Sequence, residues 1–166
     1  MWGGNGTWTA GPVTNWVNED GTQASAWLGV NTIFAGAAGT VSVDTGDGPV
    51  VTTGMQFAVS GYAVSGDPVQ IAGAGDVTDI RVGDGTVDGT NYVATISSGL
   101  SGTSGVKKTG TGTLVLSGAN TYTGATVINA GVLNLQSNTA LGTAAAGTTV
   151  ASGAALQLQG GLTIAS

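Results

Sequence analysis

An internal repeat in the last third of the chain constrains the fold more than any other feature. Segment 126–136 aligns with segment 149–159 at a constant offset of 23, and the leucines of a related segment, 112–118, precede those of the first unit at an offset of 19. A fixed period of this length is typical of solenoids, because each unit can bury its apolar face only against its neighbours. The leucine pairs of the three units are Leu114/Leu116, Leu133/Leu135 and Leu156/Leu158.

Apolar residues alternate with polar ones along most of the chain, and Gly, Ser and Asn separate the alternating segments. Alternation with period two places both apolar residues of a pair on one face of a strand, whereas no stretch sustains a helical period. The sequence therefore predicts a parallel β-helix whose coils hold roughly 19–23 residues. A β-sandwich or jelly roll is the alternative, and the fixed offset favours the solenoid. The further pairs are Val41/Val43, Met55/Phe57, Tyr62/Val64, Val69/Ile71, Ile80/Val82, Ala94/Ile96 and Leu162/Ile164.

Composition excludes several classes of function. The 166 residues include 31 Gly but no Cys and no His, so that thiolate metal sites, disulfides and ordinary nucleophile–base pairs are absent. The net charge is −6 with only Arg81, Lys107 and Lys108 as basic residues, which leaves no electrostatic surface for nucleic acid. No window approaches the unbroken apolar run that a membrane-spanning helix needs. We expect no cofactor, no nucleic-acid partner and no membrane insertion by this segment.

The segment 106–124, read as VKKTGTGTLVLSGANTYTG, closely resembles the autotransporter-associated β-strand repeat, also called the passenger-associated transport repeat. The family's following segment, Thr-x-Val-x-x-Gly-x-Leu, is matched within 125–133. The upstream Trp-rich opening and the segment 38–43 resemble such passengers more loosely. The residues expected to form the structural repeat are Lys108, Thr109, Gly110, Gly112, Thr113, Leu114, Leu116, Gly118, Asn120, Tyr122, Gly124, Val127, Gly131, Leu133, Leu135, Leu156 and Leu158.

The resemblance implies an all-β, right-handed parallel β-helix, single-stranded in that one chain winds every coil, in a passenger secreted to the cell surface of a Gram-negative bacterium. Such passengers cross the outer membrane through a C-terminal β-barrel of the same precursor, so this barrel is the implied partner. The absence of Cys is consistent with an unfolded chain that threads a narrow pore. Because neither a signal peptide nor a barrel lies in the sequence, we expect a fragment of a longer precursor. We expect a capping segment at 1–35, irregular coils at 36–104 and repeat-bearing coils at 105–166.

The Trp residues all lie near the beginning of the chain, where the strand rhythm is weakest. Large aromatic side chains bury much area, and the first coil of a solenoid otherwise exposes its interior and its strand edges. The sequence therefore predicts an N-terminal cap, and a sugar-stacking platform is the alternative. The cap residues are Trp2, Trp8, Trp16 and Trp27.

Polar residues of the turns admit two interpretations each. The Asp-Gly segments 44–48 and 84–89 suit calcium ligation but lack an established calcium-loop spacing, and Asp-Gly is a good turn sequence. The Gly-x-Gly runs at 83–85 and 110–112 do not continue as phosphate-binding loops. The amides of Asn120, Asn129 and Asn134 occupy similar places in their units and suit either an internal ladder or turn capping.

Three functions from different classes remain. The first is a non-catalytic stalk or scaffold whose repeat assists translocation and folding, and we expect the segment not to be an enzyme. The second is an adhesin-type module that binds glycans, other cells or a second copy of itself. The third is a polysaccharide-degrading β-helix, since two carboxylates suffice for glycoside hydrolysis. Its candidate acids are Asp76, Asp79, Asp84 and Asp88.

Overall fold

The computed structural model describes residues 4–11, 16–17, 24–25, 29–143 and 146–164. Strands joined by tight turns make up most of this part of the chain, together with two 3-10 turns at Ala74–Asp76 and Asp88–Asn91. The strands are, in chain order, β1 (Gly6–Thr9), β2 (Trp16–Val17), β3 (Ala24–Ser25), β4 (Asn31–Phe34), β5 (Thr40–Asp44), β6 (Val50–Thr52), β7 (Gly54–Phe57), β8 (Tyr62–Gly66), β9 (Val69–Ile71), β10 (Val77–Val82), β11 (Val93–Ile96), β12 (Leu100–Ser101), β13 (Gly105–Thr109), β14 (Thr113–Leu116), β15 (Thr126–Ile128), β16 (Val132–Leu135), β17 (Thr148–Val150) and β18 (Ala155–Leu158).

The strands stack into three parallel sheets that form the faces of a β-solenoid. The seven-stranded sheet has the order β1-β5-β8-β11-β14-β16-β18, the six-stranded sheet β17-β15-β13-β10-β7-β4 and the three-stranded sheet β12-β9-β6. Within the described residues, only the short pair β2 and β3 is antiparallel. In the three parallel sheets each strand therefore pairs with strands one coil above or below rather than with its neighbour in sequence. This architecture confirms the predicted parallel β-helix and excludes the sandwich.

The interior is filled by aliphatic side chains stacked in columns along the solenoid axis. On the seven-stranded sheet one column aligns Val64, Ile96, Leu116 and Leu135, and all four side chains are fully buried. The predicted alternation also holds upstream, where both members of every pair from Val41/Val43 to Ala94/Ile96 are buried. Period-two alternation alone sorts these side chains to the inside.

Coil length follows the prediction over the repeat but not along the whole chain. Leu133 pairs with Leu156 at an offset of 23, and Leu114 pairs with Leu133 at an offset of 19, as the repeat predicts. The offset is again 23 between β5 and β8, but it rises to 32 between β8 and β11. The extra length lies in the turns around 72–76 and 83–92, outside the strands. A solenoid accommodates such insertions because only strand registry must be kept from coil to coil.

The N-terminal end of the interior is aromatic. Trp8 is fully buried and meets Phe34 edge-to-face, with ring centroids 5.9 Å apart. Phe34 in turn stacks on Phe57 at 4.6 Å and packs against Tyr62. Tyr62 Oη donates to the carbonyls of the turn at 35–37, and burial raises the pKa of this phenol.

The last described coil is the least covered. Val150 and Leu158, which continue the strand alternation into this coil, are 43% and 55% exposed. The predicted pair Leu162/Ile164 is partly buried against the core but forms no strand, which corrects that expectation. The backbone N–H of Thr163 instead donates to Asn138 Oδ1 at 3.0 Å.

One hydrophobic core runs from Trp8 to Ala140 without interruption. The division into a capping segment at 1–35, irregular coils at 36–104 and repeat-bearing coils at 105–166 stays a prediction.

Candidate functional site

The predicted repeat spans strands β13 to β16. Strands β13 and β14 belong to one coil, and β15 and β16 pair with them in the next coil. Its leucines Leu114 and Leu116 lie on the interior face between Ala94/Ile96 of the preceding coil and Leu133/Leu135 of the following one. All of these side chains are fully buried. Thr113 and Val127 alternate with the buried residues of their strands and lie less deeply. The apolar half of the motif is thus ordinary solenoid core, and its polar residues distinguish this coil.

Lys108 lies in the interior, in the column formed by Met55, Ile80 and Ile128 on the six-stranded sheet. The residue is fully buried, and burial lowers the pKa of its amine to about 8, although the charge of Asp79 acts in the opposite direction. Strand alternation explains the placement, because Val106 is also buried in β13 and the residue between the two is less buried. In the sequence Lys108 stands out only as part of the motif, and its spacing of two from Val106 is the signal from which its burial could have been predicted.

The ammonium group of Lys108 connects two coils. Nζ donates to the carbonyl oxygens of Thr109 and Gly110, at 2.8 Å each, and of Ala130 at 3.1 Å. An ammonium has three N–H donors, so every one has a backbone acceptor. The first acceptor is the last residue of β13, the second lies in the turn that follows it, and the third lies in the turn after β15. The buried charge therefore ties successive corners of the solenoid together.

Asn120 makes a second polar connection at the opposite corner. Its Oδ1 accepts from the backbone N–H of Leu100 at 2.8 Å, and its Nδ2 donates to the carbonyl of Ala140 at 2.6 Å. Leu100 lies in the coil before and Ala140 in the coil after. The three-stranded sheet ends at β12, and beyond it the amide supplements backbone hydrogen bonds between coils, such as that from Thr121 N–H to the Leu100 carbonyl at 2.8 Å. Asn120 is only 3% exposed, so neither backbone group has ready access to water.

The other two asparagines do not share this role, which corrects the expectation that the three are equivalent. Asn129 is exposed in the turn after β15. Asn134 lies on the outer face of β16, where its Nδ2 donates to Gln157 Oε1 of the next coil at 3.2 Å. Gln136 donates to Gln159 beside it at 3.0 Å. These form an external amide ladder.

Tyr122 fills the corner beside Asn120. Its ring is fully buried, and its hydroxyl shares a 2.7 Å hydrogen bond with the buried hydroxyl of Thr126. Burial raises the pKa of Tyr122 to about 12, and the bond to Thr126 only partly opposes this. The phenol is therefore a neutral structural group at physiological pH.

The glycines of the repeat lie where neighbouring coils touch. A side chain at Gly124 would meet the backbone of the preceding coil at 104–105, and one at Gly118 would meet the carbonyls of 97–98. A side chain at Gly112 would lie 2.6 Å from the carbonyl of Tyr92. Gly110 and Gly131 also have positive φ, at 71° and 68°, a conformation that is easy only for glycine. The glycines of the repeat therefore allow the backbones of neighbouring coils to approach closely, while its other residues supply side-chain contacts.

The predicted cap residues are only partly described. Trp8 lies at the end of the core as stated above, and Trp16 belongs to β2. The side chain of Trp16 and the whole of Trp2 and Trp27 lie outside the described residues. The cap remains a prediction.

Three of the four carboxylates that suggested catalysis, two of which also suggested calcium binding, lie in turns. Asp84 Oδ1 accepts from the backbone and hydroxyl of Thr86, and Oδ2 accepts from Tyr92, which together lower the pKa of this carboxyl. Asp76 has a positive φ of 66° in its 3-10 turn, and Asp88 begins the second such turn. Asp79, on β10, accepts a hydrogen bond from the hydroxyl of Thr109 in β13. Over the described ranges, no three His, Cys, Asp or Glu residues cluster as metal ligands.

Known proteins match both the repeat and most of the chain. Residues 106–135 match the family model of the passenger-associated-transport-repeat. The chain is 46% identical over 144 residues to the adhesin BmaC autotransporter of Brucella suis biovar 1 (strain 1330), an alignment that covers 86% of this chain and 4% of that relative. The chain thus spans a small part of the relative's length. No solved structure matches it significantly.

Fold and repeat together define a parallel β-solenoid of the kind that secreted passengers use. The chain is a segment of an autotransporter passenger that carries a passenger-associated transport repeat. Such a segment is displayed at the cell surface of a Gram-negative bacterium. No helix among the described residues has the length and apolarity to cross a membrane.

Proposed function

We propose that this segment is a non-catalytic stalk whose repeat coil assists translocation across the outer membrane by folding early and holding its fold. Its partner is the C-terminal β-barrel of the same precursor, through which the chain emerges. A chain that folds coil by coil outside the pore releases free energy at each step. A coil that buried hydrogen bonds hold to its neighbours resists unfolding more strongly than the other coils do. It therefore opposes backsliding of the chain into the pore more strongly.

The observation that supports this role is the concentration of buried polar connections in one coil. Lys108 binds three carbonyls over two corners, and Asn120 bridges two backbone groups in coils on either side. Hydrogen bonds to charged groups are worth more than neutral ones, and a buried backbone group left without a partner is costly. These bonds also fix registry, since neither side chain can make its bonds if a coil slips by one position.

The test compares two double variants of the full-length parent protein. Lys108→Met with Asn120→Ala removes both connections, whereas Lys107→Met with Asn129→Ala changes the same residue types at half-buried and exposed positions. We expect surface display, measured by flow cytometry against an N-terminal epitope, to fall for the first pair only. Total synthesis, measured by immunoblot, provides the normalisation.

Deletion of 106–135 is the coarser form of the same experiment and is expected to reduce display further. Undiminished display of the Lys108/Asn120 variant, in a segment shown by urea unfolding to be destabilised, would contradict the proposal. So would an equal loss of display for the two double variants.

Adhesion is a second candidate function, favoured by the similarity to an adhesin autotransporter. The outer face supports it: residues 109–166 carry no charged side chain, and the amide ladder Asn134–Gln157 presents regularly spaced donors and acceptors. We expect the isolated segment to bind to a glycan array or to host cells. Sedimentation over a concentration series tests the remaining form of adhesion, self-association.

A further inference from the structure

A polar groove crosses the outer face of the six-stranded sheet, away from the repeat's interior connections. Its volume is about 240 Å³. It combines a carboxylate, a guanidinium, two amides and a hydroxyl within one depression, at the place where β4, β7, β10 and β13 lie side by side. The lining residues are Asn31, Met55, Gln56, Asp79, Arg81 and Thr109.

The groove exists because a glycine interrupts an outward column of side chains. Asn31, Gly54 and Asp79 are aligned on successive strands, and Gly54 contributes no side chain to the column. The amide of Asn31 leans over the gap, so that a Cβ at Gly54 would meet Asn31 Oδ1 and would lie 3.2 Å from the carbonyl of Asp79. The gap is therefore a notch between two polar groups.

The inserted loop 83–92 anchors two side chains that line the groove, Gln56 and Arg81. The carbonyl of Gly83 accepts from Gln56 Nε2 at 3.4 Å and from Arg81 Nε at 3.3 Å, and this orients both side chains along the groove. The loop itself is held by the bonds that Asp84 accepts from Thr86 and Tyr92. The insertion that lengthens the middle coil thus also positions the groups of the groove.

Arg81 gives the groove one cationic group in an otherwise acidic chain. Arg81 is exposed and Lys107 half-buried, and Asp79 is paired in register with Lys107 and lies on the same strand as Arg81. Among the residues that line the groove, Arg81 carries the positive charge and Asp79 the negative one, so that the groove is neutral although the whole chain carries −6. A guanidinium binds a carboxylate through two parallel hydrogen bonds.

The remaining groups fit hydroxyls and a C–H face. Asp79 accepts hydrogen bonds, and the amides of Asn31 and Gln56 both donate and accept. Ile33, the register neighbour of Gln56, is 49% exposed and supplies an apolar surface at the margin. A small anion such as acetate has no hydroxyls to bond to these groups, whereas a sugar ring offers both hydroxyls and a C–H face.

We propose that this groove binds a sugar residue that bears a carboxylate, a uronic acid, with its carboxylate on Arg81 and its ring hydroxyls on Asp79, Asn31 and Gln56. The proposal deepens the second candidate function, adhesion, on which it rests, and is independent of the stalk function. Surface display can fail or succeed without any bearing on it.

The test is an NMR titration of the ¹⁵N-labelled 166-residue chain with methyl β-D-glucuronide and with methyl β-D-glucoside. The two probes differ only in a carboxylate in place of a hydroxymethyl group. We expect saturable shifts of the backbone amides at 54–56, 79–81 and 109 with the glucuronide, and at least roughly tenfold weaker binding of the glucoside because the charge-assisted pair is lost. Sodium acetate serves as the simple-anion control and is expected to give no saturable shift there.

Three variants separate the groove from general electrostatics. Arg81→Gln is expected to weaken glucuronide binding at least about tenfold. Lys107→Gln makes the same change of charge next to the groove and is expected to leave affinity within about threefold. Gly54→Ala blocks the notch without a change of charge and is expected to abolish binding. Each variant's urea midpoint is measured to confirm that it folds.

Several outcomes would overturn the proposal. These are no saturable shift with the glucuronide, equal binding of the glucoside or of acetate, and an equal loss for Lys107→Gln and Arg81→Gln. If binding were lost in this way while the segment still adhered to cells, the adhesion function would stand and only the site would be wrong.

Discussion

At the scale of single residues, one lysine carries the most unusual environment among the described residues. Lys108 extends through an aliphatic column and ends on three backbone carbonyls. Burial removes the ammonium group from water and disfavours its charged form, which lowers the pKa of Lys108 to about 8. The long apolar stem of lysine explains how the chain tolerates this, since the methylenes pack like an aliphatic side chain while the ammonium reaches the corner.

Lys108 makes stability depend on pH with an unusual sign. Its pKa is about 8 in the folded chain and 10.5 otherwise, so between these values the unfolded chain binds more protons and stability rises with pH. Above about pH 10 the raised pKa of Tyr122, about 12, acts in the opposite sense because the folded phenol keeps its proton. We therefore expect the urea midpoint to increase between about pH 8 and about pH 10.

Lys108→Met is the control for that measurement. The variant is expected to lose the upward slope, while Lys107→Met retains it. A slope that persists in Lys108→Met would assign the effect to another group.

Asn120, although uncharged, is also expected to contribute strongly to the stability of the fold. Asn120→Ala leaves the Leu100 N–H and the Ala140 carbonyl buried without partners, and we expect a loss of about 3 kcal/mol in the free energy of unfolding. Asn129→Ala, at an exposed site in the next turn, is expected to change it by less than about 0.5 kcal/mol. Urea unfolding followed by circular dichroism gives both values, and similar losses for the two would show that burial of the amide is unimportant.

At the scale of elements, coil-to-coil contact at the corners matters as much as strand pairing. Strands on the flat faces are kept apart by the sheet spacing, about 4.8 Å, but the turns between them pack backbone on backbone. Gly105 and Gly124 meet in this way, one coil apart. The motif's glycines are therefore packing residues, and only some of them are needed for positive φ.

Gly124→Ala tests this distinction. The added methyl group meets the backbone of Gly105, which cannot move without breaking strand β13, and we expect a loss of about 2 kcal/mol or more. Gly46→Ala places the methyl group beside only the side chain of Asp44, at 3.1 Å, and is expected to cost less than about 1 kcal/mol. The midpoint of thermal unfolding distinguishes the two variants. Equal shifts would mean that the backbone at this corner moves to accommodate the methyl group.

At the scale of the whole molecule, stability is graded from the covered coils to the last one. Each coil is stabilised by its neighbours above and below, and a terminal coil lacks one of these interfaces. In the isolated 166-residue chain, β17 and β18 are the last described strands, and all residues of β17 are exposed. In that isolated chain, opening is therefore expected to begin at the coil of β17 and β18 and to proceed towards the repeat.

Substitution of two leucines in one interior column tests whether stability decreases towards the last described coil. Leu133 is fully buried and pairs with Leu156, which is only partly buried one coil later. We expect Leu133→Ala to cost about 3 kcal/mol and Leu156→Ala about 1 kcal/mol, because the second cavity opens to solvent. Hydrogen exchange is expected to be faster in β17 and β18 than in β13 and β14. Equal costs would indicate that the end coil is covered in solution.

The sequence by itself determined the fold class and the axial register, because both follow from periodicity. Leu114, Leu133 and Leu156 stack as their offsets of 19 and 23 require, and alternation sorted the core pairs to the interior. These properties are local or strictly repeated, so one chain contains all the information that they need.

The tertiary structure decided what each polar residue does, since that depends on which residue of another coil lies opposite. The motif marks Lys108 without showing that its side chain is buried, and only the position of Ala130 one coil later shows a partner for its charge. Asn120, Asn129 and Asn134 look alike in sequence and end in a buried bridge, an exposed turn and an external ladder. The groove over Gly54 likewise arises from side chains between positions 31 and 109, which are brought together by coils of unequal length that no repeat period predicts.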